Sequence, residues 1–187
     1  MNRPIKLLIL IILSLSVYFR YNYTNKTTKI LIIGNTKPTF SNNSVIINNK
    51  YASKKLSINN LLEKIKLERE IKRDLIESHI LIISVGYNDL IYNLSLEDNI
   101  NNHHFNKITS SIEKDYNLLI KEIRKYYKNE IVVIGYPKSN KEDYYLNIGI
   151  KKLNNILKNN KEVIYIDTYY NKNKTKYNKI INEILAK

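Results

Sequence analysis

Five short runs of β-branched and aliphatic residues constrain the fold of this chain more than any other feature. They are KILIIG (29–34), SVII (44–47), HILIISVG (79–86), EIVVIG (130–135) and EVIYID (162–167). None of them alternates with polar residues, and such runs are typical of strands that are buried on both faces of a parallel sheet. The sequence therefore predicts five buried strands in one sheet.

The segments between these runs repeat apolar residues at helical spacing. One stripe starts at Ile58 and continues through 65, behind Ser57 as a predicted N-cap, and further stripes cover 108–123, 150–157 and 177–185. Right-handed crossovers of helix length fold such a chain into a three-layer, doubly wound, mostly parallel five-stranded α/β sheet of the flavodoxin-like kind. The stripes are interpreted as core-facing helices.

An apolar run from Leu7 to Phe19, flanked by basic residues, occupies the amino terminus. Its length fits the core of a signal peptide, and extended over 5–23 it is just long enough to span a bilayer. Because no small-x-small cleavage site follows, we predict a hydrophobic helix in 1–23 that serves as a signal peptide or, preferably, as an uncleaved membrane anchor. Residues 24–28 are a linker, and the globular body is expected outside the cytoplasm, anchored or secreted.

The charge of the chain favours anionic partners without identifying one. Thirty-one Lys+Arg against 17 Asp+Glu give a formal net charge of +14, which attracts nucleic acid, lipid headgroups or acidic envelope polymers and also fits a merely solvated surface. The basic residues form no compact block and accompany no RNA-binding aromatic motif, so nucleic acid is disfavoured. The absence of cysteine excludes disulfides, thiolate metal sites and a cysteine nucleophile. We predict no cofactor.

Three of the four glycines directly follow predicted strands, namely Gly34, Gly86 and Gly135. In open α/β sheets, ligands bind beyond the carboxyl ends of the strands. A glycine at such an end lets the backbone turn sharply or approach a ligand closely. We therefore expect the functional site at this edge of the sheet.

The motif GYND (86–89), directly after a buried strand, resembles the Gly-x-Asn-Asp block of the SGNH (GDSL-type) hydrolases. The segments YASKKLSINNLLEKI (51–65) and IRKYYKNEIVVIGYP (123–137) resemble the second segment and the fourth strand of that family. The resemblance extends over 29–185 and implies an SGNH hydrolase-like domain in 29–187, in a family of esterases and lipases.

The resemblance assigns a role to Asn88, because the block asparagine donates its amide to the oxyanion of an acyl-transfer intermediate. A fixed neutral donor of this kind contributes a factor of about 10²–10³ in rate. Asp89 is expected to anchor the turn by accepting backbone N–H bonds. The remaining binding positions implied by the resemblance are Gly34, Asn35, Gly86, Tyr87 and the position of the family's second oxyanion-hole residue. The family has a glycine at that last position, and here Ser53 or Lys54 stands near it, where a backbone N–H could still serve.

The family's triad is altered in this chain. Where the family has Gly-Asp-Ser, the sequence reads GNT, so that Asn35 replaces the aspartate and Thr36 replaces the nucleophilic serine. Asn171 falls where the histidine belongs, and Thr168, next to Asp167, falls where the aspartate belongs. Without an imidazole, the hydroxyl lacks a proton acceptor of suitable pKa.

The three histidines offer little compensation for this loss. His79 precedes a strand, at the edge opposite to the expected site. His103 and His104 lie in the polar stretch 93–106, which we predict to be a long loop of the kind that forms lids, and from which they could swing over Thr36. No third ligand at recognisable spacing accompanies the pair, so we predict no metal site.

Two functions follow from these patterns. In the first, a residual esterase uses Thr36 as nucleophile, with Asn88 in the oxyanion hole, on an acylated glycan or lipid of the cell envelope. In the second, which the missing base favours, the same crevice binds an acyl or glycan ligand, or a partner protein, without catalysis. The sequence leaves open which of the two holds and what the oligomeric state is.

Overall fold

The computed structural model describes residues 27–34, 45–96, 101–139 and 143–170, together with Ser14 and Glu183. Its five strands are β1 (Thr28–Gly34), β2 (Val45–Tyr51), β3 (Ile80–Ser84), β4 (Ile131–Ile134) and β5 (Ile164–Ile166). They form one sheet in the order β2-β1-β3-β4-β5, and all neighbours are parallel. Each strand overlaps one predicted apolar run, so the predicted parallel sheet is confirmed. The prediction that all five strands are buried holds for β1, β3 and β4. It is wrong for the two edge strands, since β2 is mostly exposed or half-buried and only Ile166 is buried in β5.

Five helices are described: α1 (Ile58–Leu67), α2 (Arg69–Glu77), α3 (Tyr87–Ser95), α4 (Asn102–Tyr126) and α5 (Tyr144–Asn159). Ser57 caps α1 as predicted, and its hydroxyl accepts a hydrogen bond from Asn60 N at 3.2 Å. The sequence predicts one helix between β2 and β3, but there are two. They are separated at Glu68, whose backbone is extended (φ −89°, ψ 124°).

The prediction of a long loop over 93–106 is wrong for the residues that the structure describes. Helix α3 continues to Ser95, and α4 already begins at Asn102. The side chain of Asn101 caps α4 by accepting a hydrogen bond from His104 N at 2.9 Å. The asparagines that suggested a loop therefore include a helix N-cap, a position that this residue type strongly favours.

All five described helices lie on the same face of the sheet, and the strand order explains why. The connections from β2 to β3, from β3 to β4 and from β4 to β5 all advance in one direction across the sheet. Right-handed crossovers that advance in one direction place their helices on one face. The helices and this face share a single core, in which Tyr116 and Tyr127 are the largest fully buried side chains.

The opposite face of the sheet carries a second buried apolar cluster, and none of the described helices packs against it. Its members are Ile30, Ile32, Ile80, Ile82, Val132, Ile134 and Ile166. Burial on both faces is the physical reason why the sequences of β1, β3 and β4 show no polar alternation.

Two predicted elements lie outside the described residues. They are the hydrophobic helix predicted in 1–23, of which only Ser14 is described, and the last predicted helix, 177–185, of which only Glu183 is described. Within the described part of the chain, no helix combines the length and the apolar character needed to cross a membrane.

Candidate functional site

Gly34 ends β1 directly beside Ser84, the last residue of β3. Its φ of +106° lies in the left-handed region, and a Cβ at this position would be 2.0 Å from the Ser84 carbonyl oxygen. Only glycine satisfies both constraints without strain. Asn35 and Thr36 follow immediately but lie outside the described residues, so the location of the predicted nucleophile stays a prediction.

Gly86 turns the chain from β3 into α3. It is the N-cap of this helix, with a left-handed φ of +114°. The motif GYND therefore forms a helix start, with Asn88 and Asp89 in the first turn of α3. Sequence reasoning placed the motif correctly at a strand tip but missed the short helix, because 87–95 shows only part of an apolar stripe.

The Asn88 amide holds the loop between β2 and α1 against the start of α3. Its nitrogen donates to Lys54 O at 2.8 Å and to Leu56 O at 3.0 Å. A primary amide has two N–H groups, so both are engaged by backbone carbonyls. Donation to an oxyanion would require the release of one of these bonds. The oxyanion role of Asn88 stays a prediction.

Asp89 binds the amino terminus of α1. Its two carboxylate oxygens accept from Ile58 N at 3.2 and 3.1 Å, a donor that lies 31 residues earlier in the chain. A carboxylate at this position satisfies a free backbone donor and complements the helix dipole. Burial raises the pKa of Asp89 above its ordinary 3.8, the Ile58 hydrogen bond opposes this rise, and the charge of Asp115 adds to it.

Ser53 lies in the turn after β2, and it is exposed. Its hydroxyl oxygen accepts from Lys55 N at 3.3 Å. The Asn88 bonds to this turn therefore join Ser53 indirectly to the tip of β3. Of the predicted site residues that the structure describes, Gly34, Gly86, Tyr87, Asn88 and Asp89 meet directly at the carboxyl edge, and Ser53 borders them.

A group of tyrosines lies beneath this edge. The Ser84 hydroxyl donates to the Tyr136 hydroxyl at 3.3 Å, and the Tyr136 ring stacks on Tyr87, with centroids 5.2 Å apart. The Tyr116 hydroxyl is buried and has no hydrogen-bond partner among the described residues. Burial raises the pKa of Tyr116 and of Tyr136 far above 10. Both phenols therefore remain protonated, and neither replaces the imidazole as a base.

Side chains also fix the backbone at the ends of β4 and β5. Asn154 accepts from Tyr136 N and donates to Tyr136 O, both at 2.8 Å. Thr168 is fully buried, and its hydroxyl donates to Gly135 O at 2.8 Å. Asp167 is exposed and accepts from Tyr169 N at 2.9 Å. The residue at the family's aspartate position thus joins two strand ends, while Asn171 lies outside the described residues.

The histidines do not assemble into a site in the described part of the chain. His79 lies at the amino end of β3, where its Nδ1 accepts from Lys29 N at 3.0 Å. His103 and His104 belong to the first turn of α4 rather than to a loop. Their predicted approach to Thr36 stays untested, because Thr36 is not described. Among the described residues, no three His, Asp or Glu side chains are grouped so as to hold a metal ion.

Comparison with known proteins identifies the fold. No protein-family model matches the chain, and no curated protein matches it. Several solved structures do match. A lipase, Lip_vut3, from a goat rumen metagenome has 17% identity and a TM-score of 0.59, with 76% of this chain and 81% of that chain covered. A member of the lipolytic G-D-S-L family from Veillonella parvula has 12% identity and a TM-score of 0.54, with 86% and 84% covered. The chain has the SGNH (GDSL-type) hydrolase fold.

A third solved structure with this SGNH fold is a catalytic mutant of an acetylxylan esterase from Geobacillus stearothermophilus. It has 13% identity and a TM-score of 0.54, with 83% of this chain and 80% of that chain covered. At identities this low, the matches establish a shared architecture and assign no activity to this chain. The predicted resemblance is thus confirmed at the level of the fold.

Two clefts of opposite character open on the SGNH fold. One, of about 630 Å³, lies between α1, α3 and α4, and its lining includes Asn88, Asp89 and Asp115. The other, of about 410 Å³, lies between the start of α5 and the segments after β4 and β5, and its lining includes Lys138, Lys151 and Tyr169. Among the described lining residues, the first cleft has two carboxylates and one lysine, whereas the second has two lysines and no carboxylate.

Proposed function

We propose that this SGNH-fold protein is a binding module without esterase activity, which takes an acyl or glycan ligand, or a partner, at the carboxyl edge of the sheet. The observation that carries the proposal is the double hydrogen bond from the Asn88 amide to Lys54 O and Leu56 O. An amide that holds two backbone carbonyls lacks a free N–H for an oxyanion. The buried bond of Thr168 to Gly135 O supports the same conclusion.

We also propose that the domain works outside the cytoplasm, held at the membrane by 1–23 or secreted. The support is the apolar run from Leu7 to Phe19 with its basic flanks. Protease treatment of intact cells tests this proposal. Digestion of the domain in intact cells is expected, and protection until the membrane is broken would contradict it.

Turnover of p-nitrophenyl acetate tests the absence of catalysis. We expect the purified full chain to give no turnover above buffer, and Thr36→Ala to be indistinguishable from it. Wild-type turnover that Thr36→Ala abolishes would overturn the proposal. Turnover that persists unchanged in Thr36→Ala would assign any activity to another residue.

The alternative is an esterase, favoured by one observation: solved structures named as lipases and esterases share this fold. In that case the Thr36 hydroxyl attacks the ester carbonyl, and the Thr36 backbone N–H and Asn88 bind the oxyanion. The hydroxyl proton passes through a base to the alcohol, which leaves as the ester C–O bond breaks, and water then hydrolyses the acyl-threonine to release the acid and the free hydroxyl. Asn88→Ala would then lower kcat by a factor of about 10²–10³.

A double variant that adds the missing catalytic groups also separates the two functions. Thr36→Ser combined with Asn171→His restores the family's hydroxyl and imidazole. If the natural chain is inactive and the crevice is otherwise intact, the double variant is expected to gain measurable turnover that neither single variant shows. An active natural chain whose turnover the double variant leaves unchanged would contradict the importance of both positions.

A further inference from the structure

The cleft at the ends of β4 and β5 combines exposed aromatic rings with lysines. We call it the tyrosine–lysine groove. It has a volume of about 410 Å³, and its lining residues are Lys138, Tyr144, Asn147, Ile148, Lys151 and Tyr169. The groove lies on the same edge of the sheet as the GYND motif, but on the other side of β4.

The rings around this groove are held in place yet remain exposed. Tyr144 is 72% exposed and packs edge to face against Tyr145, with centroids 5.5 Å apart. Tyr169 packs in the same way against Tyr170, which is 87% exposed, at 4.8 Å. Tyrosine provides a rigid, amphipathic contact surface at little cost in conformational entropy. Tyr144 and Tyr170 therefore present ring surface to solvent, whereas Tyr169 is half-buried and also packs against the core.

The charge at the groove is positive. Lys138 and Lys151 are exposed, and neither forms an ion pair with a carboxylate in the described part of the chain. The described acidic residues next to the groove in sequence bind backbone donors instead: Asp143 accepts from Leu146 N and Asp167 from Tyr169 N, both at 2.9 Å. Two ammonium groups that pair with no carboxylate among the described residues, beside aromatic rings, suit a ligand that is both ring-shaped and anionic.

We propose that the tyrosine–lysine groove binds an anionic polysaccharide. Sugar rings lie against Tyr144 and Tyr169, and the carboxylate or phosphate groups of the polymer pair with Lys138 and Lys151. This inference rests on the proposed function and deepens it, since it names the ligand class bound at the same edge. A nucleic acid is disfavoured because the basic residues of the chain form no compact block and accompany no RNA-binding aromatic motif.

Binding of four defined polymers to the purified full chain tests the proposal. Polygalacturonate has rings and charge, xylan has rings without charge, poly(glycerol phosphate) has charge without rings, and oligothymidine is single-stranded DNA. We expect polygalacturonate to bind at least about tenfold more tightly than xylan, because the lysines contribute only with a charged ligand. We also expect its binding to weaken as salt is raised, since exposed charges are screened.

Matched variants locate the binding. Tyr144→Ala is expected to weaken polygalacturonate binding by about tenfold, whereas Tyr144→Phe retains it, because the ring face makes the contact. Lys151→Ala is expected to weaken it by about threefold, in line with an exposed charge pair. The controls are Tyr92→Ala, an exposed tyrosine of the other cleft, and Lys161→Ala, an exposed lysine of a third cleft. Neither control is expected to change binding.

Several outcomes would overturn the proposal. Equal binding of xylan and polygalacturonate would remove the role of charge, and equal binding of poly(glycerol phosphate) would remove the role of the rings. Tighter binding of oligothymidine would identify the groove as a nucleic-acid site. Unchanged binding in Tyr144→Ala would place the ligand elsewhere. Turnover that depends on Thr36 would instead contradict the absence of catalysis and leave the binding result standing, so the two failures are distinguishable.

Discussion

Both halves of the carboxyl edge bury polar side chains that fix the backbone, Asn154 and Thr168 among them at the β4 and β5 end, but the halves differ in the polar residues that they expose. At the β1 and β3 end, Asn88 and Asp89 bind backbone groups of the loop before α1 and of its first turn. At the β4 and β5 end, Tyr144 and Lys151 lie at the surface beside a groove. A polar side chain at a strand end is therefore not evidence of chemistry until its partners are known. The first half is expected to control stability, and the second to control binding.

The largest expected effect is that of Gly34→Ala. The left-handed φ and the 2.0 Å approach to Ser84 O leave no room for a methyl group. We expect the free energy of unfolding in urea to fall by about 3 kcal/mol or more, or the chain to fail to fold. Gly149→Ala is the matched control: its methyl would come within 2.9 Å of a terminal methyl of the buried Leu90, which must shift, but in a helix that alanine favours and without a backbone clash, so we expect a smaller loss of about 1 kcal/mol. Equal losses of unfolding free energy in both variants would show that the left-handed φ and the close approach to Ser84 at Gly34 add no cost of their own.

A second substitution tests whether Asn88 is structural. Asn88→Ala removes two hydrogen bonds to backbone carbonyls, one of them partly buried, and we expect a loss of about 2 kcal/mol in unfolding free energy. Asn88→Asp is nearly isosteric but places carboxylate oxygens against Lys54 O and Leu56 O, so its loss should be larger. An unchanged unfolding free energy in Asn88→Ala would contradict a structural role for the amide and would favour its oxyanion role. The contrast between the two halves of the carboxyl edge would then be lost.

The pH dependence of stability gives a third, smaller effect. Because burial raises the pKa of Asp89 in the folded state, this carboxyl binds its proton more tightly when folded than when unfolded. The contribution of this proton binding to the free energy of unfolding is complete below the ordinary pKa of 3.8. It is lost as the pH rises through the pKa that Asp89 has in the folded state. The natural chain should therefore lose stability relative to Asp89→Asn as the pH rises from acid to neutral, as measured by the free energy of unfolding. A difference that is independent of pH, or that shifts the other way, would contradict the buried state of Asp89.

The smallest effect on stability is expected at the tyrosine–lysine groove. Tyr144→Ala and Lys151→Ala should each change the free energy of unfolding by less than about 0.5 kcal/mol, as is usual for exposed positions. Thermal and urea denaturation of the purified variants provide the measurement. A loss of more than about 1 kcal/mol in either variant would mean that the groove residues support the fold, and the two halves would then no longer differ.

The strands of this protein were predictable because their physical signal is strong and local. Parallel strands buried on both faces need uninterrupted apolar runs, and KILIIG and EIVVIG are clear examples. Ser57 was equally predictable as a helix cap, since a serine directly precedes a regular apolar stripe. The fold resemblance drawn from GYND is confirmed, although the rumen lipase, the acetylxylan esterase and the G-D-S-L family member share only 12–17% identity with the chain.

The hydrogen-bond partners of the polar side chains were not predictable from the sequence. Some partners lie far away along the chain, and some of the side chains stand among several of the same type. Asn88 binds carbonyls 32 and 34 residues away, and backbone carbonyls carry no sequence signature. Asn101 has the same capping chemistry as Ser57, but it stands among other asparagines, so nothing in the sequence distinguishes it. Asn154 likewise lies in a regular helical stripe, and its double bond to the Tyr136 backbone becomes visible only in three dimensions.

The strand order also has a consequence for how the chain assembles during synthesis. After β2 has formed, each later strand is added at the same growing side of the sheet, next to a neighbour that has already been translated. Each new strand can therefore pair with a neighbour that has already left the ribosome, although a domain generally folds as a unit. The segments of the GYND turn emerge early in synthesis, whereas those that carry Tyr144 and Tyr169 are among the last of the described elements to emerge.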